Sequence, residues 1–118
     1  MSLTGQRVLL VEDDALIGEA WALLLSAQHA IVLGPYVTAP EALRAVAAEV
    51  PDLAVLDYHL HVGTSLPVAN MLITLGVPTV IVSSAHRDDL PTELRGLPFV
   101  PKPTTGREFL SAIAALRA

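Results

Sequence analysis

The sequence predicts an α/β domain: one five-stranded parallel sheet in the order 2-1-3-4-5, doubly wound, with helices on both faces. Three observations predict it. Short apolar runs alternate with stretches of helical period along the whole chain, the signature of a parallel sheet built from βαβ units. The runs are unbroken rather than alternating, as in Leu53-Ala54-Val55-Leu56, which suits strands buried on both faces. Crossovers in such units are right-handed, and at this size the doubly wound order follows naturally.

The totals agree. At 118 residues the chain makes one domain, 1–118, long enough to bury a core. A hydrophobic share of 53% against 16% charged residues argues against disorder. The net charge is −5 and lysine and arginine do not cluster, which disfavours nucleic-acid binding. There is no cysteine, so no disulfide framework and no cysteine zinc site. No apolar stretch approaches the ~20 residues of a membrane span, and no signal peptide precedes Val8; a cytoplasmic location is expected. Met1-Ser2-Leu3 reads as an expression remnant.

Taken in order, Arg7 to Val11 is a buried strand ending in Glu12-Asp13-Asp14. Acids there suit both a strand-end site and the first turn of a helix. In that helix Leu16, Ala20, Leu23, Leu24 and Ala27 mark the apolar face, widened by Ile17, Trp21 and Leu25. A second strand, Ala30 to Leu33, is expected to stop at Gly34-Pro35. Thr38 caps a second helix whose inward face is Ala42, Leu43, Val46, Ala47 and Val50.

The third strand runs into Asp57. Gly63-Thr64-Ser65 opens a third helix, Leu66 to Leu75, ended by Gly76. Val77 to Val82 is the fourth strand, ending at Ser83-Ser84. From Ala85 to Gly96 only one or two helical turns are expected. Leu97 to Val100 is a short strand, and Pro98 and Pro101 beside it suggest a sheet edge. After Lys102-Pro103, Thr104 or Thr105 caps a last helix with Phe109, Leu110, Ile113 and Leu116 on one face.

In this topology the carboxyl ends of strands one, three, four and five lie side by side, where such sheets bind ligands. They carry Glu12 and Asp13, Asp57, Ser83 and Ser84, and Lys102. Three crowded carboxylates repel unless a cation intervenes. Mg²⁺ suits them, since it takes oxygen ligands and favours one or two carboxylates plus a phosphate. Lys102 offers a point charge for a phosphate oxygen. The Ser83 hydroxyl and the Ser84 N–H can donate to another. Asp57 then reads as a carboxylate nucleophile that needs no general base, being ionised near neutral pH.

At these residues the chain resembles the CheY-like receiver domain of two-component response regulators. The resemblance rests on Val8 to Asp14, Asp52 to Asp57, Val80 to Ser84 and Phe99 to Pro103, in the right order over nearly the whole chain. Asp57-Tyr58-His59-Leu60, Gly63 to Ala69, Gly76-Val77-Pro78 and Leu97-Pro98-Phe99 look like a subgroup of receivers with a short fourth helix. The resemblance implies phosphorylation of Asp57 by a histidine kinase or histidine phosphotransfer protein, and self-catalysed loss of the phosphoryl group. It implies Mg²⁺ held directly by Asp13 and Asp57, through water by Glu12, and by the backbone carbonyl of His59. Ser83 matches the switch hydroxyl, Phe99 the switch aromatic, Lys102 the phosphate-binding lysine, and Lys102-Pro103 a cis peptide bond. Output would pass to a downstream protein partner.

The segment from Ser83 to Phe99 is shorter than in most receivers, so the helix after the fourth strand should be stunted or irregular. Pro101 before the lysine and Thr104 after Lys-Pro also depart from the pattern.

Taken singly, each motif has a plainer reading: helix-start acids, turn serines, a solvated lysine, and an edge-strand aromatic at Phe99. His59-Leu60-His61 reads as a pair of exposed loop histidines, with no cysteine and no third histidine nearby to complete a metal site. His29 and His86 read as surface residues, and Trp21 as core. Two other functions fit the acids. One is a small phosphohydrolase with an aspartate nucleophile, in which His59 stands where haloacid-dehalogenase-like phosphatases place a second acid. The other is a pseudo-receiver that binds partners without being phosphorylated.

Overall fold

The computed structural model describes residues 2–117. The strands are β1 (Arg7–Val11), β2 (Ile31–Tyr36), β3 (Leu53–Leu56), β4 (Thr79–Ser83) and β5 (Phe99–Pro101). The helices are α1 (Ala15–Ala27), α2 (Ala39–Ala48), α3 (Leu66–Thr74) and α4 (Gly106–Leu116). All strand pairs are parallel and the order is β2-β1-β3-β4-β5. This is the doubly wound sheet the sequence predicts.

The unbroken apolar strands serve two cores at once, because successive side chains point to opposite faces. Leu9, Val11, Ala54, Leu56 and Ile81 pack beneath α2 and α3 with Ala42, Val46 and Leu72. Val8, Leu10, Leu53, Val55, Val80 and Val82 pack beneath α1 and α4 with Trp21, Leu25, Phe109 and Ile113. Leu3 is fully buried in this second core, so at least the last residue of the stretch 1–3 packs as part of the domain.

Local chemistry starts the helices. The Asp14 carboxylate accepts hydrogen bonds from the N–H groups of Leu16 and Ile17, and Thr38 accepts from Glu41. Of the two candidate caps for α4, Thr105 is the one used. Its hydroxyl accepts from Glu108 N–H while the Glu108 carboxylate accepts from Thr105 N–H, a closed capping box.

Three expectations are corrected. The apolar face of α1 is rotated: Leu16 and Leu23 are 80% and 72% exposed, and Trp21 and Leu25 form the core side. On α2, Ala47 lies in solvent, and Val50, beyond the helix end, is also exposed. Strand β2 does not stop at Gly34-Pro35 but passes through to Tyr36. It can do so because it is an edge strand, where a proline costs no ladder hydrogen bond. The register against β1 shifts between Leu9 and Val11.

Gly34 sits at this irregularity with φ +112, and a Cβ there would lie 2.6 Å from the Leu10 carbonyl oxygen. Gly34→Ala is therefore expected to lower the unfolding free energy by about 1–3 kcal/mol. Urea denaturation measures this directly, and an unchanged midpoint would remove the argument.

The connection from β4 to β5 holds no α-helix, only two 3₁₀ turns, Arg87–Asp89 and Thr92–Leu94. Leu90 and Leu94 anchor it to the α2/α3 core. The Arg95 side chain donates to the carbonyls of Leu90 and Asp88 at 2.9 and 3.0 Å. The stunted helix expected from the short segment is what this connection contains.

Candidate functional site

The polar groups at the strand ends meet. Asp57 follows β3 directly and is 5% exposed; its N–H donates to the Val11 carbonyl, which ties it to the end of β1. Glu12 is fixed in the same way, its N–H donating to the carbonyl of Tyr36, the last residue of β2. The Glu12 Oε2 accepts from Asp14 N–H at 3.1 Å. From the far side of the sheet comes Lys102, whose N–H donates to the Ser83 carbonyl and so extends the β4–β5 pairing. The Lys102 Nζ donates to Glu12 Oε1 at 2.6 Å and to Asp57 Oδ2 at 3.1 Å. Asp13 stands beside them: carboxylate oxygens of Glu12, Asp13 and Asp57 lie within 4.8 Å of one another.

Burial and proximity set the electrostatics. Removal from water pushes the Glu12 carboxyl up to about 7; the neighbouring Asp57 charge adds to this, while hydrogen bonds from Lys102 and Asp14 pull the other way. For Lys102, burial works against the ammonium, but Glu12 and Asp57 together outweigh it and hold its pKa above the usual lysine value.

The other predicted residues are placed as follows. Ser83 is fully buried and its hydroxyl accepts from Ala85 N–H at 3.2 Å, with no hydrogen bond to Asp57. Ser84 is exposed and shares a cavity wall with Lys102. Phe99 lies half-buried on the edge strand against the α2/α3 core, with the Arg87 guanidinium 5.6 Å from its ring centroid. His59 is exposed and bridges to Thr64. The bonds on either side, Leu60 N–H to Gly63 and Ser65 N–H to Tyr58, make that bridge and leave the His59 carbonyl out of it. The Lys102-Pro103 bond is cis.

Two neighbours were not read from the sequence. His61 is exposed, as expected, but its Nδ1 lies 3.5 Å from Asp13 Oδ2. Trp21 reaches the lysine, with its ring centroid 5.3 Å from Lys102 Nζ. Spacing carries no signal for either: one depends on the path of a loop, the other on the rotation of α1.

No protein-family model matches the sequence, and no curated protein is significantly similar to it. Solved structures do match. SdrG from Sphingomonas melonis Fr1 is 31% identical over 100% of both chains, with a TM-score of 0.81. The non-phosphorylated HemR receiver domain from Leptospira biflexa is 28% identical over 94% of this chain and 93% of its own, at 0.81. The receiver domain of the Erythrobacter litoralis PhyR response regulator is 26% identical over 97% and 91%, at 0.83. The chain belongs to the response-regulator receiver domains.

In this receiver domain the donor set suits a hard divalent cation. Three carboxylates offer oxygen only, two of them buried, and the single ammonium of Lys102 leaves two negative charges unbalanced when all three acids are ionised. Among the described residues, no helix is long and apolar enough to cross a membrane.

Proposed function

We propose that the domain is a phosphorelay receiver in which Asp57 accepts a phosphoryl group from a phospho-histidine on a histidine kinase or phosphotransfer protein. The observation that carries this reading is the Lys102 ammonium 3.1 Å from a buried, strand-end carboxylate that shares its cluster with two further acids. A carboxylate oxygen of Asp57 attacks phosphorus, the P–N bond to the donor imidazole breaks, and the imidazole keeps that electron pair and takes a proton from solvent. Asp57 thereby becomes an acyl phosphate. Lys102 turns its N–H groups from the carboxylate to a phosphoryl oxygen and balances the incoming charge where water is scarce. The Ser83 hydroxyl gives up its contact with Ala85 and donates to a second oxygen, and the Ser84 N–H assists. Asp13, Asp57, the His59 carbonyl and, through water, Glu12 would hold Mg²⁺, which when bound supplies positive charge to the transferring group. Water later attacks phosphorus, the P–O bond to Asp57 breaks, and the carboxylate is restored with release of phosphate.

The same reading places the domain in the cytoplasm and makes its output a protein–protein contact. Movement of Ser83 would be relayed along the β4–β5 edge to Phe99.

The test is incubation with acetyl phosphate, or with a phospho-histidine donor protein, in the presence of Mg²⁺. A gain of about 80 Da, mapping to the peptide that holds Asp57, is the expected result. An adduct at another residue removes Asp57 from its role. No adduct under either donor favours the pseudo-receiver, and steady turnover of small phosphate esters favours the phosphohydrolase.

A further inference from the structure

We propose that Trp21 is a positioning residue for Lys102: its indole face backs the ammonium and keeps it against Asp57. The inference rests on the role proposed above for Lys102. An ammonium carries three N–H donors. In the hydrogen-bond network of the described residues, the Lys102 Nζ gives two contacts, to Glu12 and Asp57. Its remaining side meets the Trp21 ring, with the nitrogen over the face and 5.3 Å from the centroid. That distance lies within the range over which an aromatic quadrupole attracts a cation, and the attraction strengthens where water is excluded. Trp21 is only 6% exposed.

The ring is itself held. It stacks on Phe109 with centroids 4.8 Å apart and planes 22° from parallel. Phe109 is fully buried in the first turn of α4, the helix that the Thr105 capping box starts. Two helices thus brace one lysine that hangs on an edge strand of three residues.

Bracing matters because the ammonium has somewhere else to go. A cavity of about 360 Å³ opens beside it, lined by Ile17, Trp21, Ser84, Lys102, Pro103 and Thr104. A flexible four-carbon side chain with two anionic partners on one side and open space on the other would spend part of its time in that space. The indole face makes the inner position the preferred one, and it does so before a phosphoryl group arrives.

The test compares Trp21→Phe, which keeps an aromatic face, with Trp21→Leu and Trp21→Met, which fill space without one. All are assayed below their melting temperatures with acetyl phosphate and Mg²⁺. Trp21→Phe is expected to phosphorylate within about twofold of the parent, and the Leu and Met variants about fivefold more slowly at saturating donor, with the donor KM unchanged. A merely loosened core would slow all three in proportion to lost stability. Independently of phosphorylation, the Cε protons of Lys102 should resonate upfield in the two ring-bearing proteins only. Relaxation of that methylene should show greater mobility in the Leu and Met variants. Leu or Met variants as fast as Trp21→Phe overturn the proposal. If the parent takes no phosphoryl group, the functional reading fails, and equal lysine mobility with and without the ring then overturns the positioning role too.

Discussion

Lys102→Met is expected to slow phosphorylation of Asp57 by acetyl phosphate about 100-fold and, at pH 8 without divalent cations, to destabilise the fold by about 3–5 kcal/mol. Both effects follow from one geometry. The ammonium bridges two buried carboxylates, Glu12 at 2.6 Å and Asp57 at 3.1 Å. Methionine fills nearly the same volume but leaves those charges without a partner, and a buried pair broken on one side costs far more than the pair was worth. For the transfer step, the loss is that of one donor aimed at developing charge. The destabilisation should shrink as pH falls. Burial already raises the Glu12 carboxyl to about 7 against the pull of the lysine, so without Lys102 it takes up a proton more readily still, and its unpaired charge disappears while that of Asp57 remains. Urea unfolding at pH 8 and pH 5, alongside phosphorylation kinetics, checks both. A variant as stable as the parent at pH 8 would mean that the lysine contact is not what supports the buried acids.

How much of this was legible in the sequence depends on the kind of signal. The strand-end residues could be read because β1, β3, β4 and β5 each run through apolar residues towards their carboxyl end, so the first polar residue after that run falls at the sheet's mouth. The order 2-1-3-4-5 then brings Glu12, Asp13, Asp57 and Lys102 together without any side-chain detail. The rotation of α1 could not be read in the same way. Leu16, Ile17, Ala20, Trp21, Leu23, Leu24, Leu25 and Ala27 surround the helix, so several faces satisfy the period equally. Packing chose the face bearing Trp21, whose ring finds Phe109, and left Leu16 and Leu23 in water. With the rotation went the contact between Trp21 and Lys102. The end of β2 was hidden for a different reason: Gly34-Pro35 signals a turn in isolation, and only its place on the sheet edge lets the strand continue.

Glu12→Gln is expected to have the opposite sign to Lys102→Met in the absence of a divalent cation. The Glu12 carboxyl titrates near 7 in the fold against an ordinary value of 4.5, so the native state holds its proton more tightly than the unfolded chain does. The stability this group contributes is fully present below about pH 4.5 and is lost as pH rises through about 7. Above that, an ionised Glu12 costs the metal-free fold about 1–3 kcal/mol. Glutamine removes the charge. It leaves Lys102 with Asp57, but it cannot replace both acceptors, since Oε1 takes the lysine and Oε2 takes Asp14 N–H, and one of its two positions is a donor. The net gain at pH 8 is therefore expected near the low end, about 1 kcal/mol, and close to zero at pH 5, where Glu12 is already neutral. Mg²⁺ should reverse the ranking: the ion favours the ionised carboxylate, so it stabilises the parent more at pH 8 than at pH 6 and stabilises the glutamine variant less at both. Thermal melts in chelator and in Mg²⁺ at the two pH values measure the crossing. A glutamine variant that is less stable than the parent in chelator at pH 8 would mean that pairing with Lys102 outweighs the cost of burial. The acid cluster would then be a self-contained structural ion pair rather than one that lacks a cation.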